Sequence, residues 1–536
     1  MITRRRFLRD ACAVSAACLA VSDSLCRGAD KSQKPNVLMI PIDDLKPLLN
    51  CYGIKEIKTP NIDKLAARGT VFLNNSCQQA ICGPTRASLM TGLYPDSTGV
   101  WDLKTRMRDV HPNVLSIPQY FIKHGYEATG IGKTYDPRCV DKQLDKPSWS
   151  IPYSKYSKYL FSSNHPNPKM GYQDPETKKA IQVGIKAVKG KTFKSGGARK
   201  VAMTKAAGPK VAPATEGMRL PDDAYPDGAM AAAACKMLDK LSGGTKPFFL
   251  SVGFAKPHLP FIAPKKYWDM YDRSKIKIHE FQKRSENGPD IAYHNFGELR
   301  SYSDIPSKGP IPDAQQLELI HGYMACVTYV DAQIGKLMSK IDQLGITDNT
   351  IVCLWGDHGW HLGDHGIWCK HSNFEQAVRA PLIFVDPHVK GGKKTDAPTG
   401  LVDVFPTFCD LAHMPIPAAL QGKSLLPLMK NPKGSIRKAI LSQYPRSNRG
   451  KPVMGYTLRD RRYRYVKWVQ MNYRNGERSG LLVATELYDY ETDPNETVNL
   501  ASIPKHAKTV AGFEAIFKEM NVAKHSGIAQ KSRKKG

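Results

Sequence analysis

Val37-Leu38-Met39-Ile40-Pro41-Ile42 is a short, almost wholly apolar run that stops abruptly at Asp43-Asp44. So short and uniform a run suits a strand buried on both faces, where neither side of the pleat meets water. The design recurs along the chain: residues 127–131 lead to Lys133, 247–254 to Lys256-Pro257-His258, and 350–355 to Asp357-His358. Amphipathic stretches over 61–68, 117–124 and 317–344 lie between these runs. Their alternation predicts an α/β fold, a mostly parallel sheet sandwiched by helices. Ligands in such sheets bind beyond the carboxyl ends of the strands, so the four polar clusters are expected to converge on one site.

Each cluster alone has an ordinary structural reading. An Asp-Asp pair caps a turn, a lysine after a strand is solvated, and a histidine between Pro257 and Leu259 is satisfied within its loop. Together they say more. Three carboxylates (Asp43, Asp44 and Asp357) gathered with the His358 imidazole call for a cation, and an oxygen-rich donor set favours calcium or magnesium over zinc. A fifth segment, Cys82-Gly83-Pro84-Thr85-Arg86-Ala87-Ser88-Leu89-Met90-Thr91-Gly92, reads as a helix with Pro84 in its first turn and Gly92 at its end. That places Cys82 at a helix N-terminus, where anions are favoured, with Arg86 one turn on as a fixed positive charge.

The chain has 536 residues, long enough for one large domain and a smaller one. Its 78 Lys+Arg against 49 Asp+Glu give a formal charge of +29, which points to polyanionic partners: nucleic acid, an anionic membrane surface or a sulfated glycan. After the N-terminus no apolar run reaches the roughly 18 residues of a membrane span, which excludes an integral membrane protein. Thr3-Arg4-Arg5-Arg6-Phe7-Leu8-Arg9 followed by an apolar stretch over 11–21 reads as an export signal over 1–30 that resembles the twin-arginine type, so the expected location is periplasmic or extracellular. Three of the twelve cysteines (Cys12, Cys18, Cys26) fall in it, and the odd remainder argues against a disulfide framework.

The Cys-x-Pro-x-Arg motif resembles that of the type I sulfatases of the alkaline-phosphatase superfamily, with iduronate-2-sulfatases the nearest family. The resemblance runs from about Asn36 to Leu500. It includes Asp43-Asp44-Leu45-Lys46-Pro47, Thr59-Pro60-Asn61-Ile62-Asp63, Lys256-Pro257-His258-Leu259-Pro260-Phe261, Asp357-His358-Gly359-Trp360, Trp368-Cys369-Lys370 and Ser442-Gln443-Tyr444-Pro445-Arg446. It implies that a formylglycine-generating enzyme converts Cys82 to formylglycine, the nucleophile, and that Asp43, Asp44, Asp357 and His358, with residue 82, bind one Ca²⁺ per chain. It further implies that Lys133 and Lys370 hold sulfate oxygens, Arg86 orients the formylglycine, and His258 protonates the leaving sugar oxygen. One position departs from the family, which has a histidine shortly after Gly-Lys, whereas this chain reads Gly132-Lys133-Thr134-Tyr135-Asp136. Asp136, another group such as His361, or a different step must serve there.

The expected layout is a catalytic domain over 35–395 carrying a basic loop insert at about 168–216, a C-terminal antiparallel-sheet subdomain over 396–520, and a basic tail over 521–536 whose end, Lys531-Ser532-Arg533-Lys534-Lys535-Gly536, reads as disordered. Arg446, Arg449, Lys451, Arg459, Arg461, Arg462 and Arg464, interleaved with Tyr444, Tyr456, Tyr463, Tyr465 and Trp468, read equally as a sugar-binding face and as a solvated strand face with alternating core aromatics. The function expected is hydrolysis of sulfate esters on carbohydrate. The alternatives are a phosphatase or phosphonate hydrolase on the same fold and a non-catalytic binder of sulfated polysaccharide. Nucleic acid is disfavoured, since only charge supports it.

Overall fold

The computed structural model describes residues 34–160 and 171–528. The export signal expected over 1–30 and the last residues of the basic tail lie outside them. Eight strands form the main sheet in the order Lys393–Thr395, Thr70–Phe72, Leu382–Val385, Thr350–Gly356, Asn36–Ile42, Phe248–Gly253, Glu127–Gly132 and Ser154–Lys155. Neighbours run parallel except at Leu382–Val385, which is antiparallel to both of its partners. The fold is therefore the mostly parallel, helix-sandwiched sheet that the strand pattern predicts.

Alternation along the Asn36–Ile42 strand divides the core. Leu38, Ile40 and Ile42 face one hydrophobic cluster with Tyr323, Val327, Val330 and Ile334 of the long helix Asp313–Gln343. Val37 and Met39 face a second cluster with Phe121, Phe405 and Phe408 on the other side of the sheet. No helix of the described residues is long and apolar enough to cross a membrane. All nine described cysteines are free, as expected of a chain without a disulfide framework.

A second, five-stranded sheet follows in the order Ile440–Asn448, Lys451–Arg459, Tyr463–Gln470, Ser479–Asp489 and Lys524–Ile528. Its first four strands are antiparallel meanders, and the last adds parallel to Ser479–Asp489. That last strand lies in the stretch read as a basic tail, where backbone pairing from Ser479 to Lys524 and a buried Ala523 hold it in place. The 168–216 stretch, expected to be a loop, contains the helices Pro175–Val188 and Gly196–Ala207. The first starts where Asp174 accepts from the Glu176 and Thr177 amides and Pro175 fills the first turn. It then buries Ile181, Gly184 and Val188 at helical spacing, a signal that the abundant lysine and glycine obscure.

On the basic C-terminal strands the aromatics point into the core, as the second reading has it, while several arginines are paired within the protein instead of being solvated. Tyr444, Tyr456, Tyr465 and Trp468 are buried. Arg464 is itself buried against Glu496, while Arg459 pairs with Glu375, Arg461 with Asp396, and Arg462 with Asp489 and Glu491. Most of that charge is consumed internally.

Candidate active site

Parallel register brings the polar clusters together. Ile42 lies opposite Gly356 and bridges to Phe254, so Asp43 and Asp357 leave neighbouring strands at the same level. The Asp357 amide donates to the Ile42 carbonyl at 3.2 Å, and the Asp44 amide to the Asp357 carboxylate at 3.0 Å. Asp44 adopts a left-handed backbone, φ 60°, which turns the chain sharply just beyond the carboxyl end of the strand. One strand over, Gly132 pairs with Gly253. A Cβ on Gly253 would meet the Lys133 backbone at 2.4 Å, so only glycine lets the chain fold across and deliver the Lys133 side chain.

The helix Cys82–Thr91 is buried along its whole length and ends at the left-handed Gly92. Cys82 Sγ lies 3.4 Å from His358 Nε2 and 4.0 Å from Asp44 Oδ1. Donor atoms of Asp44, Cys82, Asp357 and His358 all fall within 4.8 Å of one another, and Asp43, Asp44 and His258 form a second such group. Burial, reinforced by Asp43 and Asp357, pushes the Cys82 thiol well above its ordinary range despite Lys133 and Lys370 nearby. An unmodified thiol there stays protonated at neutral pH and is a poor nucleophile.

Arg86 is fully buried and its donors all end on protein oxygens. Nε reaches Asp357 at 3.0 Å, one terminal nitrogen reaches Asp43 at 2.9 Å, and the other takes the carbonyls of Lys133 and Thr134. Its guanidinium carbon lies 5.2 Å from the centre of the Trp355 ring. Lys133 pairs with Asp43, and Lys370 lies 2.9 and 3.0 Å from the two Asp44 oxygens. Three cations thus meet the three carboxylates, so charge balance alone does not demand a metal; the convergent, oxygen-rich donor set is what fits Ca²⁺. Burial disfavours ionisation of Asp43, but Lys133 and Arg86 outweigh it and hold the carboxyl well below the usual range, whereas burial leaves Asp357 raised.

Glu298 completes the cluster and had no signal in the sequence. Its carboxylate meets Lys370 Nζ at 3.1 Å, His258 Nε2 at 3.2 Å and His371 Nε2 at 3.1 Å. Although half-buried, it is held well below the ordinary carboxyl range by Lys370 and by hydrogen bonds from His258 and His371. His258 Nδ1 donates to the Leu259 carbonyl at 2.6 Å. When Nε2 donates to Glu298 as well, the ring is the imidazolium, the form a general acid needs.

The two candidates for the missing base differ in access. Asp136 lines a cavity of about 600 Å³ together with Asp43, Lys133 and His258. Burial works against its ionisation, but its bonds from Arg138, at 2.7 to 3.0 Å, pull its pKa down to about 2. His361 is fully buried, its Nδ1 on Asp364 and its Nε2 2.8 Å from Ser372 Oγ, and burial lowers its pKa.

The Ser442–Arg446 segment buttresses the site from the second sheet. Ser442 donates to the Cys77 carbonyl, the Gln443 amide to the Gln78 carbonyl at 2.8 Å, and Arg446 to the His371 carbonyl, fixing the approaches to Cys82 and to Lys370.

Residues 35–414 match the family described as sulfatase, and residues 363–523 match the C-terminal family of N-sulphoglucosamine sulphohydrolase. The chain is 31% identical to iduronate 2-sulfatase of Mus musculus, an alignment covering 91% of this chain and 94% of the relative. A solved structure of a protein in complex with its substrate D-glucosamine-2-N,6-O-disulfate superposes with a TM-score of 0.66 at 20% identity, covering 91% of this chain and 98% of the other. The phosphonate monoester hydrolase of Agrobacterium radiobacter superposes with 0.65 at 22% identity, covering 91% and 95%, so the fold by itself does not separate the two ester classes.

Proposed function

The chain belongs to the sulfatase family, and on that premise we propose that it hydrolyses sulfate esters of a sulfated carbohydrate, using a formylglycine made from Cys82 and one bound Ca²⁺. The observation that carries this reading is that residue 82 lies among the donor atoms of Asp44, Asp357 and His358, within electrostatic reach of Lys133 and Lys370. Asp43, Asp44, Asp357 and His358 would hold the cation, which supplies electrostatic stabilisation of negative charge on sulfate oxygens. The formylglycine, as a hydrated aldehyde, supplies a hydroxyl nucleophile and a second hydroxyl through which sulfate is later released.

The chain's own residues do the rest. Lys133 and Lys370, now paired with Asp43 and Asp44, are placed to exchange those partners for sulfate oxygens and so stabilise charge that grows during sulfur–oxygen cleavage. His258, its ring fixed by Leu259 and Glu298, faces the cavity and delivers a proton to the leaving sugar oxygen. Arg86 makes no contact with the open cavity; it sets the positions of Asp43, Asp357 and the Lys133 turn. Asp136 is the residue in the base position, weakened by Arg138. Maturation by a formylglycine-generating enzyme and export through the N-terminal signal belong to the same reading.

Rates on matched sulfate, phosphate and phosphonate monoesters test the ester class. Sulfate turnover should dominate; preference for the phosphonate would transfer the site to the hydrolase alternative.

A further inference from the structure

We propose that a lysine-walled groove beside the reaction cavity binds the continuing chain of an anionic polysaccharide, so that the enzyme grips a polymer and not only its terminal sulfated sugar. The proposal rests on the sulfatase reading of the cavity. The groove has a volume of about 680 Å³ and shares Lys155 and Ser157 with the reaction cavity as common walls. Its other cations are Lys158, Lys236 and Lys240.

Three features make these lysines a site for an anion. All four are exposed, and their side chains make no hydrogen bond or ion pair among the described residues, unlike the arginines of the second sheet. Asp239, the acid adjacent to Lys240 in sequence, is taken by Lys340 at 2.7 Å, and the ten residues after Leu160 include no Asp or Glu. Lys236 and Lys240 also stand four apart on the helix Pro226–Ser242, on one face, where like charges oppose each other. An unrelieved cluster of this kind costs stability and is relieved by a bound polyanion.

The walls suit a sugar chain in particular. Tyr153 and Tyr159 line the groove together with the lysines, a mix of aromatic and ammonium groups that suits a sugar chain carrying sulfates or carboxylates. The lysines come from three separate pieces of structure: the edge strand Ser154–Lys155, the turn Tyr156–Leu160 and the helix Pro226–Ser242. An edge strand and a packed helix give the groove fixed walls, continuous with the reaction cavity at Lys155 and Ser157.

The test uses the mature, Ca²⁺-loaded full chain and a Lys158→Gln/Lys236→Gln/Lys240→Gln variant, which leaves Lys155 and the reaction cavity intact. Titration calorimetry with a heparin decasaccharide at low ionic strength should show the variant binding about tenfold more weakly, and the difference should shrink at high salt. The kcat/KM on a sulfated monosaccharide should be unchanged, while the gain in kcat/KM from disaccharide to decasaccharide seen for the parent should largely disappear. Equal decasaccharide affinity and equal length dependence in the two proteins would overturn the proposal. A parent that binds the decasaccharide through these lysines but hydrolyses no sulfate ester would sustain the groove and refute the sulfatase reading, so the two failures are distinct.

Discussion

Arg86→Ala is the substitution whose consequence follows most directly from the geometry. The guanidinium is fully buried and joins Asp43, Asp357 and the carbonyls of Lys133 and Thr134. Its loss leaves Asp357 without an arginine partner and Asp43 with Lys133 alone, while the Lys133 and Thr134 carbonyls lose the guanidinium nitrogen they share. Breaking a buried pair from one side typically costs about 3–5 kcal/mol, because the surviving charge stays buried. With Asp43 still paired, about 4 kcal/mol is the expected loss. For a domain of this size, with a guanidinium m-value of about 5 kcal/mol/M, that moves the midpoint down by about 1 M. Trp355 lies against the guanidinium and is fully buried, so it contributes to the tryptophan emission that follows unfolding. Arg86→Lys keeps the charge but lacks the planar fork, and should recover less than half of the loss. An Arg86→Ala protein with an unchanged midpoint would refute the bracing role, and lost activity at full stability would place Arg86 on the substrate instead.

Added Ca²⁺ should raise the unfolding temperature of the parent, and Asp357→Asn should abolish that rise along with activity; full turnover after exhaustive chelation would contradict the metal site. Asp227 is buried, and burial raises its pKa to about 6. Above that pH the native state must hold an ionised carboxylate, whose penalty of up to about 3 kcal/mol is relieved as pH falls from about 6 toward 4. Asp227→Asn should therefore be the more stable protein at pH 8, with the advantage fading across that window, and an advantage independent of pH would count against this. Asp136, held to about 2 by Arg138, is a weak base, so rapid quenching should reveal a burst of alcohol product ahead of slower sulfate release. A linear time course, with Asp136→Ala at full rate, would remove it from that role.

What the sequence made legible was the local part of the design. Buried strands announce themselves as apolar runs, and their polar ends name Asp43, Lys133, His258 and Asp357 before any coordinates are known. Glu298 could not be found in this way, since it meets Lys370 and His371 across more than 70 residues and belongs to no periodic or motif-bearing segment. The same non-locality hid the fate of the C-terminal arginines, whose partners Glu375, Asp396 and Glu496 come from distant parts of the chain. At Lys524–Ile528 the basic composition outweighed any strand signal, because the strand exists only through its pairing with Ser479–Asp489. The helix Pro175–Val188 was in principle readable from Asp174-Pro175 and the spacing of Ile181 and Val188.

The central claim is that residue 82 acts as a formylglycine. Peptide mass analysis of residue 82 in protein matured with a formylglycine-generating enzyme, read against the turnover of the same sample, tests it most directly. The account predicts an aldehyde in place of the thiol, activity proportional to the converted fraction, and a folded but inactive Cys82→Ala protein. Full turnover by a sample whose residue 82 is entirely thiol would contradict it.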